Sequence, residues 1–388
     1  MVHTRKTRLL LLLRDGLIIL TISIVLFTIL EVAVRSLWPQ NVKSTSLLPR
    51  KTLGVADTEL GHLHGSNSHT RQEGPEFTVE YKINNQGLRD NAIHAIPKPS
   101  GSTRILLLGD SFTFGTGNHY EEIWPVIFER ALLDHGYDVD VVKAGVSGFD
   151  TRTEILYLER LLPKYHPDIV VLAFLPNDLF TNTAVNENDL SRSDKLPPGR
   201  AVVAPEKRRG HARDRRSQFQ SVTLAKRILI SNDLLYAAIY MMTARAEYFS
   251  VPPSELLLDR LNITKDLLAR GLDDARTKGV ELCVLSIPQQ FQVLMKANRY
   301  ERENIDVDFI DVVLAEFASE KGFTWIPTLE MLAATYESNR NDLYFRVDGH
   351  LNGTGNNVVG EYFAAKFIEE LEGQLEPAST VVPENEPE

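Results

Sequence analysis

The sequence predicts an α/β protein: a three-layer α/β/α sandwich on a mostly parallel sheet, preceded by one N-terminal transmembrane helix. Three observations lead there. From residue 104 onward, short apolar runs alternate with longer segments of helical periodicity. The runs are continuously apolar, as strands covered on both faces by crossover helices must be. Ahead of them, residues 17–34 are apolar except for Thr21, Ser23, Thr28 and Glu31, and about 20 such residues span a bilayer.

The elements follow in order. Five leucines, Leu9 to Leu13, precede the apolar run, and Trp38 stands where an interfacial aromatic belongs. Arg5, Lys6, Arg8 and Arg14 come before it, which by the positive-inside rule keeps the N-terminus cytoplasmic and exports the body. This gives a cytoplasmic stretch at 1–15 and an anchor at 16–38. The competing reading is a cleaved signal peptide, whose core would be shorter and followed by a small-x-small site. Glu31 is expected to snorkel toward the interface, the alternative being a partner helix. Residues 39–103 form a lead-in, with a strand at 77–83 and a turn at Asn84-Asn85-Gln86-Gly87.

The main domain is expected at 104–371. Its strands fall at 105–108, 139–142, 169–174 and 280–287, and its helices at 123–135, 153–162, 257–278, 309–321 and 357–371. Residues 181–256 interrupt that rhythm as an insertion. Within it, residues 192–216 hold nine Lys/Arg against three Asp/Glu, a local net of +6. This stretch reads as a solvated, flexible loop, with a patch for anionic glycan or lipid headgroups as the sharper alternative. Residues 372–388 carry Pro and Glu with no basic residue and read as a disordered acidic tail.

Composition sets outer limits. Forty-two Lys/Arg against 52 Asp/Glu give a net charge of −10 over 388 residues, which argues against nucleic acid as a partner. Cys283 is the sole cysteine, so no internal disulfide and no multi-thiolate zinc site can form. It falls in a predicted buried strand and reads as an inert hydrophobe. His62, His64 and His69 are close in sequence, with Asp57 and Glu59 nearby, but they lack helical ligand spacing. No metal or cofactor is expected.

Four short segments carry the chemistry. Gly109-Asp110-Ser111 ends the first predicted strand, where a parallel sheet presents reactive groups and a following helix points N–H groups at any anion formed there. Taken alone, it could equally be a turn or helix cap. Gly145-Val146-Ser147-Gly148 follows the second strand and allows a close backbone approach. Asn177-Asp178 follows the third, and an Asn amide there can donate to a developing oxyanion. Asp348-Gly349-His350 precedes the closing helix and suits a base with an orienting carboxylate. All four converge on one predicted edge.

In that order the segments resemble the SGNH (GDSL) hydrolase superfamily, over residues 104–371 apart from the insertion. The resemblance implies Ser111 as nucleophile and backbone oxyanion donor, Gly148 and Asn177 as further donors, and His350 as general base. Tyr81 to Asp90 also resembles lead-ins of membrane-anchored bacterial members. The chain departs from the family pattern twice. The family usually places Asp three residues before His, where this chain has Val347; Asp348 is the expected partner, with Asp342 or a backbone carbonyl as alternatives. Lys143 stands where many members have Asn. The implied activity is that of a serine esterase on an ester, expected to be an O-acetyl carbohydrate outside the membrane. The alternatives are an O-acyltransferase using the same site and a non-catalytic glycan-binding assembly factor. Oligomeric state is left open.

Overall fold

The computed structural model describes residues 2–40, 53–182 and 219–378, with side chains from residue 10 onward. The basic stretch 192–216 and the tail beyond 378 lie outside the described residues. The chain divides into two compact units, 1–44 with 203–232, and 45–202 with 233–388.

The first unit holds α1 (Val2–Leu37), whose segment Leu10–Leu37 is long and apolar enough to cross a membrane. Glu31 does not snorkel. It is only 8% exposed, because the N-terminus of a second helix of this unit, Gln220–Ser231, sits on its carboxylate.

The second unit opens with two hairpins, β1 (Gly54–Asp57) with β2 (Gly61–His64) and β3 (His69–Glu73) with β4 (Thr78–Lys82). The central sheet contains β5 (Thr103–Gly109), β6 (Val139–Gly145), β7 (Ile169–Phe174), β8 (Glu281–Ser286) and β9 (Thr324–Pro327). Their order is β6-β5-β7-β8-β9, and every pairing is parallel. Between them, in chain order, run α2 (Ser111–Phe114), α3 (Trp124–Asp134), α4 (Thr151–Tyr165), α5 (Asp178–Thr181), then α6 (Gln220–Ser231) of the first unit, α7 (Asp233–Met241), α8 (Glu255–Arg276), α9 (Gln290–Ala297), α10 (Phe309–Lys321), α11 (Leu329–Asn339) and α12 (Gly353–Leu371).

Strand periodicity of two sorts the core into two layers. Leu106, Leu108, Val170, Leu172 and Val284 face α4, α8 and α10. Ile105, Leu107, Val171, Cys283 and Leu285 face α3, α9, α11 and α12. In the second layer Phe128 stacks on Phe363 with ring centroids 4.6 Å apart.

The expectation for the tail is corrected. The tail does not lose its structure at 372: Asp138 N–H donates to Glu376 O at 2.9 Å and Ala378 N–H to Gly136 O at 2.7 Å. The edge strand β6 begins here, and its unpaired backbone gives the following chain hydrogen-bond partners. Within the insertion, residues 219–249 form α6, α7 and a 3₁₀ turn at Ala244–Phe249.

Candidate active site

The order β6-β5-β7 means that the chain winds to one side of β5 and then to the other, and the carboxyl ends of these strands frame the crevice where such sheets hold ligands. Ser111 stands at the start of α2, just past β5. Asp110 caps that turn by accepting from Phe112 N–H at 2.8 Å. Two glycines let the turn sit down on the sheet. A Cβ at Gly109 would lie 2.0 Å from Thr113 Oγ1, and one at Gly145 would lie 2.6 Å from Phe114 N. Gly148, at φ 89°, supplies the reversal after β6 that no L side chain adopts readily.

Ser111 Oγ lies 2.7 Å from His350 Nε2, and His350 Nδ1 is bonded to the Asp348 carboxylate. A carboxylate only accepts, so Nδ1 carries the ring proton and Nε2 is free to accept from the serine hydroxyl. Gly349 between them has φ +90°. That left-handed residue turns the chain so that a carboxylate two positions before the histidine, not three, reaches the ring. Asp342 is engaged elsewhere, accepting from Arg346 Nε at 2.6 Å, and Val347 is exposed. Burial acts to lower the basicity of His350, but the Asp348 hydrogen bond and charge, with Asp110 behind, hold its pKa above the ordinary 6.5.

A cavity of about 450 Å³ opens beside the serine. Gly148 and Asn177 line it with Ser111, and Phe149, Phe180 and Tyr248 form apolar walls. Asn177 Nδ2 lies 3.4 Å from Asp110 Oδ2, so its amide is oriented by the residue beside Ser111. Arg245 sits at this cavity with its guanidinium over Phe180, 5.2 Å from the ring centroid. Tyr248 and Arg245 come from the insertion, where the sequence pattern indicated no part in a site.

Three carboxyls here are buried: Asp110, which lines the cavity, and Glu154 and Asp178, which interact electrostatically with it. Burial, followed by mutual repulsion, pushes Glu154 and Asp178 well above the usual carboxylate range, and burial raises Asp110. Asp178 Oδ2 accepts from Thr151 Oγ1 at 2.8 Å, while neither oxygen of Glu154 has a hydrogen-bond partner among the described residues.

The lead-in touches three of the four loops at this edge. Arg89 donates to Phe114 O and Gly115 O at 2.5 and 2.9 Å, and to Asn118 O at 2.7 Å, which satisfies the C-terminal carbonyls of the serine's turn. His62 Nε2 contacts Ser147 O at 3.0 Å. Glu76 accepts from the backbone N–H groups of Val347 and Asp348 at 3.0 Å each. His64 packs on Phe114, ring centroids 4.8 Å apart, and burial lowers its pKa to about 3. These histidines are thus committed to buttressing the site loops. Sequence reading missed Glu76, Arg89 and Glu154: Glu76 meets Val347 and Asp348 271 and 272 positions away, Arg89 meets its carbonyls 25 to 29 positions away, and nothing local marks Glu154 as buried beside two other carboxyls.

Residues 107–358, more than half of the chain, match the GDSL-like lipase/acylhydrolase family, and the chain belongs to it. Among curated relatives, it is 38% identical over 77 residues to an arylesterase of Vibrio mimicus, covering 20% of this chain and 38% of that protein. It is 29% identical over 87 residues to esterase TesA of Pseudomonas aeruginosa, covering 22% and 43%. The matched segments thus span less than half of either relative. Among solved structures, TesA aligns at 15% identity and TM-score 0.40 over 68% of this chain and 98% of its own. A lipase/acylhydrolase from Enterococcus faecalis aligns at 15% and 0.39 over 72% and 100%.

Proposed function

We propose that this protein is a membrane-anchored, extracytoplasmic serine esterase that removes a small acyl group from a carbohydrate hydroxyl. The hydrogen-bonded series Ser111–His350–Asp348 beside a cavity lined by Gly148 and Asn177 carries the reading. Ser111 Oγ attacks the ester carbonyl as its proton passes to His350 Nε2. The oxyanion is held by the backbone N–H groups of Ser111 and Gly148 and by Asn177 Nδ2. Asp348 fixes the tautomer and stabilises the imidazolium. Collapse breaks the ester C–O bond, and His350 returns the proton to the leaving alkoxide. A water activated by the same histidine then attacks the acyl-serine, frees the acid and restores Ser111.

The location comes from the apolar helix and the basic residues before it. The carbohydrate assignment rests on that location and on a cavity whose aromatic walls suit the faces of a sugar ring. Full-length protein in lipid nanodiscs should release p-nitrophenol from p-nitrophenyl acetate with an initial burst, leave an acetyl group on Ser111 detectable by mass spectrometry, and lose both in Ser111→Ala. Unchanged turnover in that variant refutes the reading. Adding an oligosaccharide acceptor and analysing products separates hydrolysis from transfer.

A further inference from the structure

The apolar segment of α1 contains a single carboxylate after Asp15, and a carboxylate on a lipid-facing helix is costly. Around it Ile29, Leu30 and Val32 are 60%, 53% and 57% exposed, whereas Glu31 is almost fully covered. What covers it is the start of α6. Gln220 N–H donates to one carboxylate oxygen at 3.0 Å, and Ser221 N–H and Oγ donate to the other at 2.9 and 2.6 Å. Arg35, one turn along α1, donates to it at 2.7 Å. The residue before α6 is Phe219, which offers no side-chain cap. Glu31 therefore supplies, from another helix, the acceptor that the first N–H groups of α6 lack.

Other contacts repeat the attachment. Phe27 and Phe219 meet edge to face at 5.2 Å. Gln40 N–H donates to Gln220 Oε1 at 2.9 Å, and Arg227 Nη1 donates to Gln40 Oε1 at 2.9 Å. On its outward side α6 carries Ile228 and Leu229, 61% and 45% exposed, beside exposed Lys226. Apolar side chains next to a basic one are the pattern of a helix lying in the headgroup and acyl boundary.

We propose that α1 is retained in the mature protein as part of its fold, and that α6 is a second membrane contact, clipped to the anchor by Glu31 and covered on its apolar side by bilayer lipid. Continuity with the membrane helix identifies the occupant. A signal peptidase cut ahead of Glu31 would leave that residue without its helix, and a cut beyond it would strip α6 of its cap.

The test uses the full chain in nanodiscs. Cys283 is buried, so a cysteine introduced by Ile228→Cys takes a nitroxide label selectively. Ile29→Cys serves as the lipid reference. At residue 228 collisions with a water-soluble nickel chelate should be about tenfold rarer than for the free label, and collisions with oxygen should approach those at residue 29. Intact mass should show a chain that still contains Glu31. Adding Glu31→Leu, which makes α1 more apolar but removes the clip, should return the residue 228 label to water-like values. Turnover of a short soluble ester, if the parent has it, should be unchanged. Should that variant fail to accumulate, Glu31→Gln keeps one acceptor without the charge and should give the same shift at smaller size. A water-like label in the parent, a mature chain lacking Glu31, or no shift in either variant overturns the proposal. None of these outcomes bears on the esterase reading, which Ser111→Ala tests separately.

Discussion

Two histidines of this protein are each gripped by carboxylates, and they do different things. His350 has Asp348 on Nδ1 and a serine hydroxyl on Nε2, at the wall of an open cavity. His94 has Asp140 on Nδ1 at 2.5 Å and Asp90 on Nε2 at 3.1 Å, and its side chain is 1% exposed. Both carboxylates of His94 are themselves saturated. Asp90 accepts from Tyr120 Oη and Ala92 N–H and pairs with Lys143 at 3.2 Å, and Asp140 pairs with Arg104 at 2.7 Å. One ring has a nitrogen left for chemistry and the other has none. A histidine beside an aspartate is thus placed to act as a base when its second nitrogen faces a hydroxyl at a cavity, and is a clasp when it faces a second carboxylate in the interior.

The clasp also accounts for Lys143. The ammonium of Lys143 is neutralised by Asp90 of the lead-in at 3.2 Å and by Glu129 at 2.8 Å. The departure from the family pattern belongs to the lead-in, not to the catalytic edge.

The largest expected effect is at the proposed base and nucleophile. His350→Ala or Ser111→Ala should lower kcat/KM for p-nitrophenyl acetate by at least about 10⁴-fold with little change in Tm, whereas His94→Ala should leave an intact catalytic edge in whatever protein folds. Asp348→Asn comes next, with a loss of about 10²- to 10⁴-fold. The parent needs neutral His350, so its kcat/KM should rise with pH through a midpoint above 6.5, and that midpoint should fall in Asp348→Asn. A parent midpoint at or below 6.5 would remove the carboxylate from the argument.

His94→Ala should cost about 1–3 kcal/mol in denaturant unfolding, since it takes one hydrogen bond from each of two carboxylates that keep their pairing with Lys143 and Arg104. Burial opposes the charge on His94, but Asp140 and Asp90 together raise its pKa. Its contribution is therefore fully present below the unfolded value near 6.5 and is lost as pH rises through the folded one. An unfolding free energy that does not decline more steeply in the parent than in His94→Ala above pH 6.5 would break the comparison. Glu76→Ala should lower kcat/KM about tenfold and broaden the pH limb, because the segment carrying Asp348 loses its grip. Equal activity and an unchanged limb would make that contact incidental.

The smallest effect is expected at Glu154→Gln. Glu154 has a pKa above its ordinary 4.5 in the fold, from burial and from the charges of Asp178 and Asp110. It binds its proton more tightly folded than unfolded, so the parent loses stability as pH rises from about that value through the folded pKa. The neutral amide escapes this loss, and Tm at pH 8 should be equal or a few degrees higher. A clear drop in Tm would assign the carboxyl a specific bonding role.

Local signals are short-range, and they carried what is short-range. The continuously apolar runs marked β5, β6, β7 and β8, and helical periodicity marked α3, α4, α8, α10 and α12. β9 was missed because four residues ending in proline, Thr324–Pro327, barely register as a strand, and α9 and α11 were missed as short or weakly patterned helices. Ser111, Gly148, Asn177, Asp348 and His350 were named from turn chemistry and from the family order of motifs. Whether Asp348 could reach His350 was not readable, because it depends on the left-handed Gly349 and on Glu76 holding the backbone.

By itself, then, the sequence determined the central strands, the apolar helix and the candidates for the reactive side chains, since each is written in a short local segment. Only the tertiary structure decided which carboxylate meets which partner. Glu76 and Asp348 are 272 positions apart, and Glu31 and Ser221 are 190 apart. Such pairs form when helices and strands pack, and a hydrogen bond between distant residues leaves no periodicity in the chain that makes it.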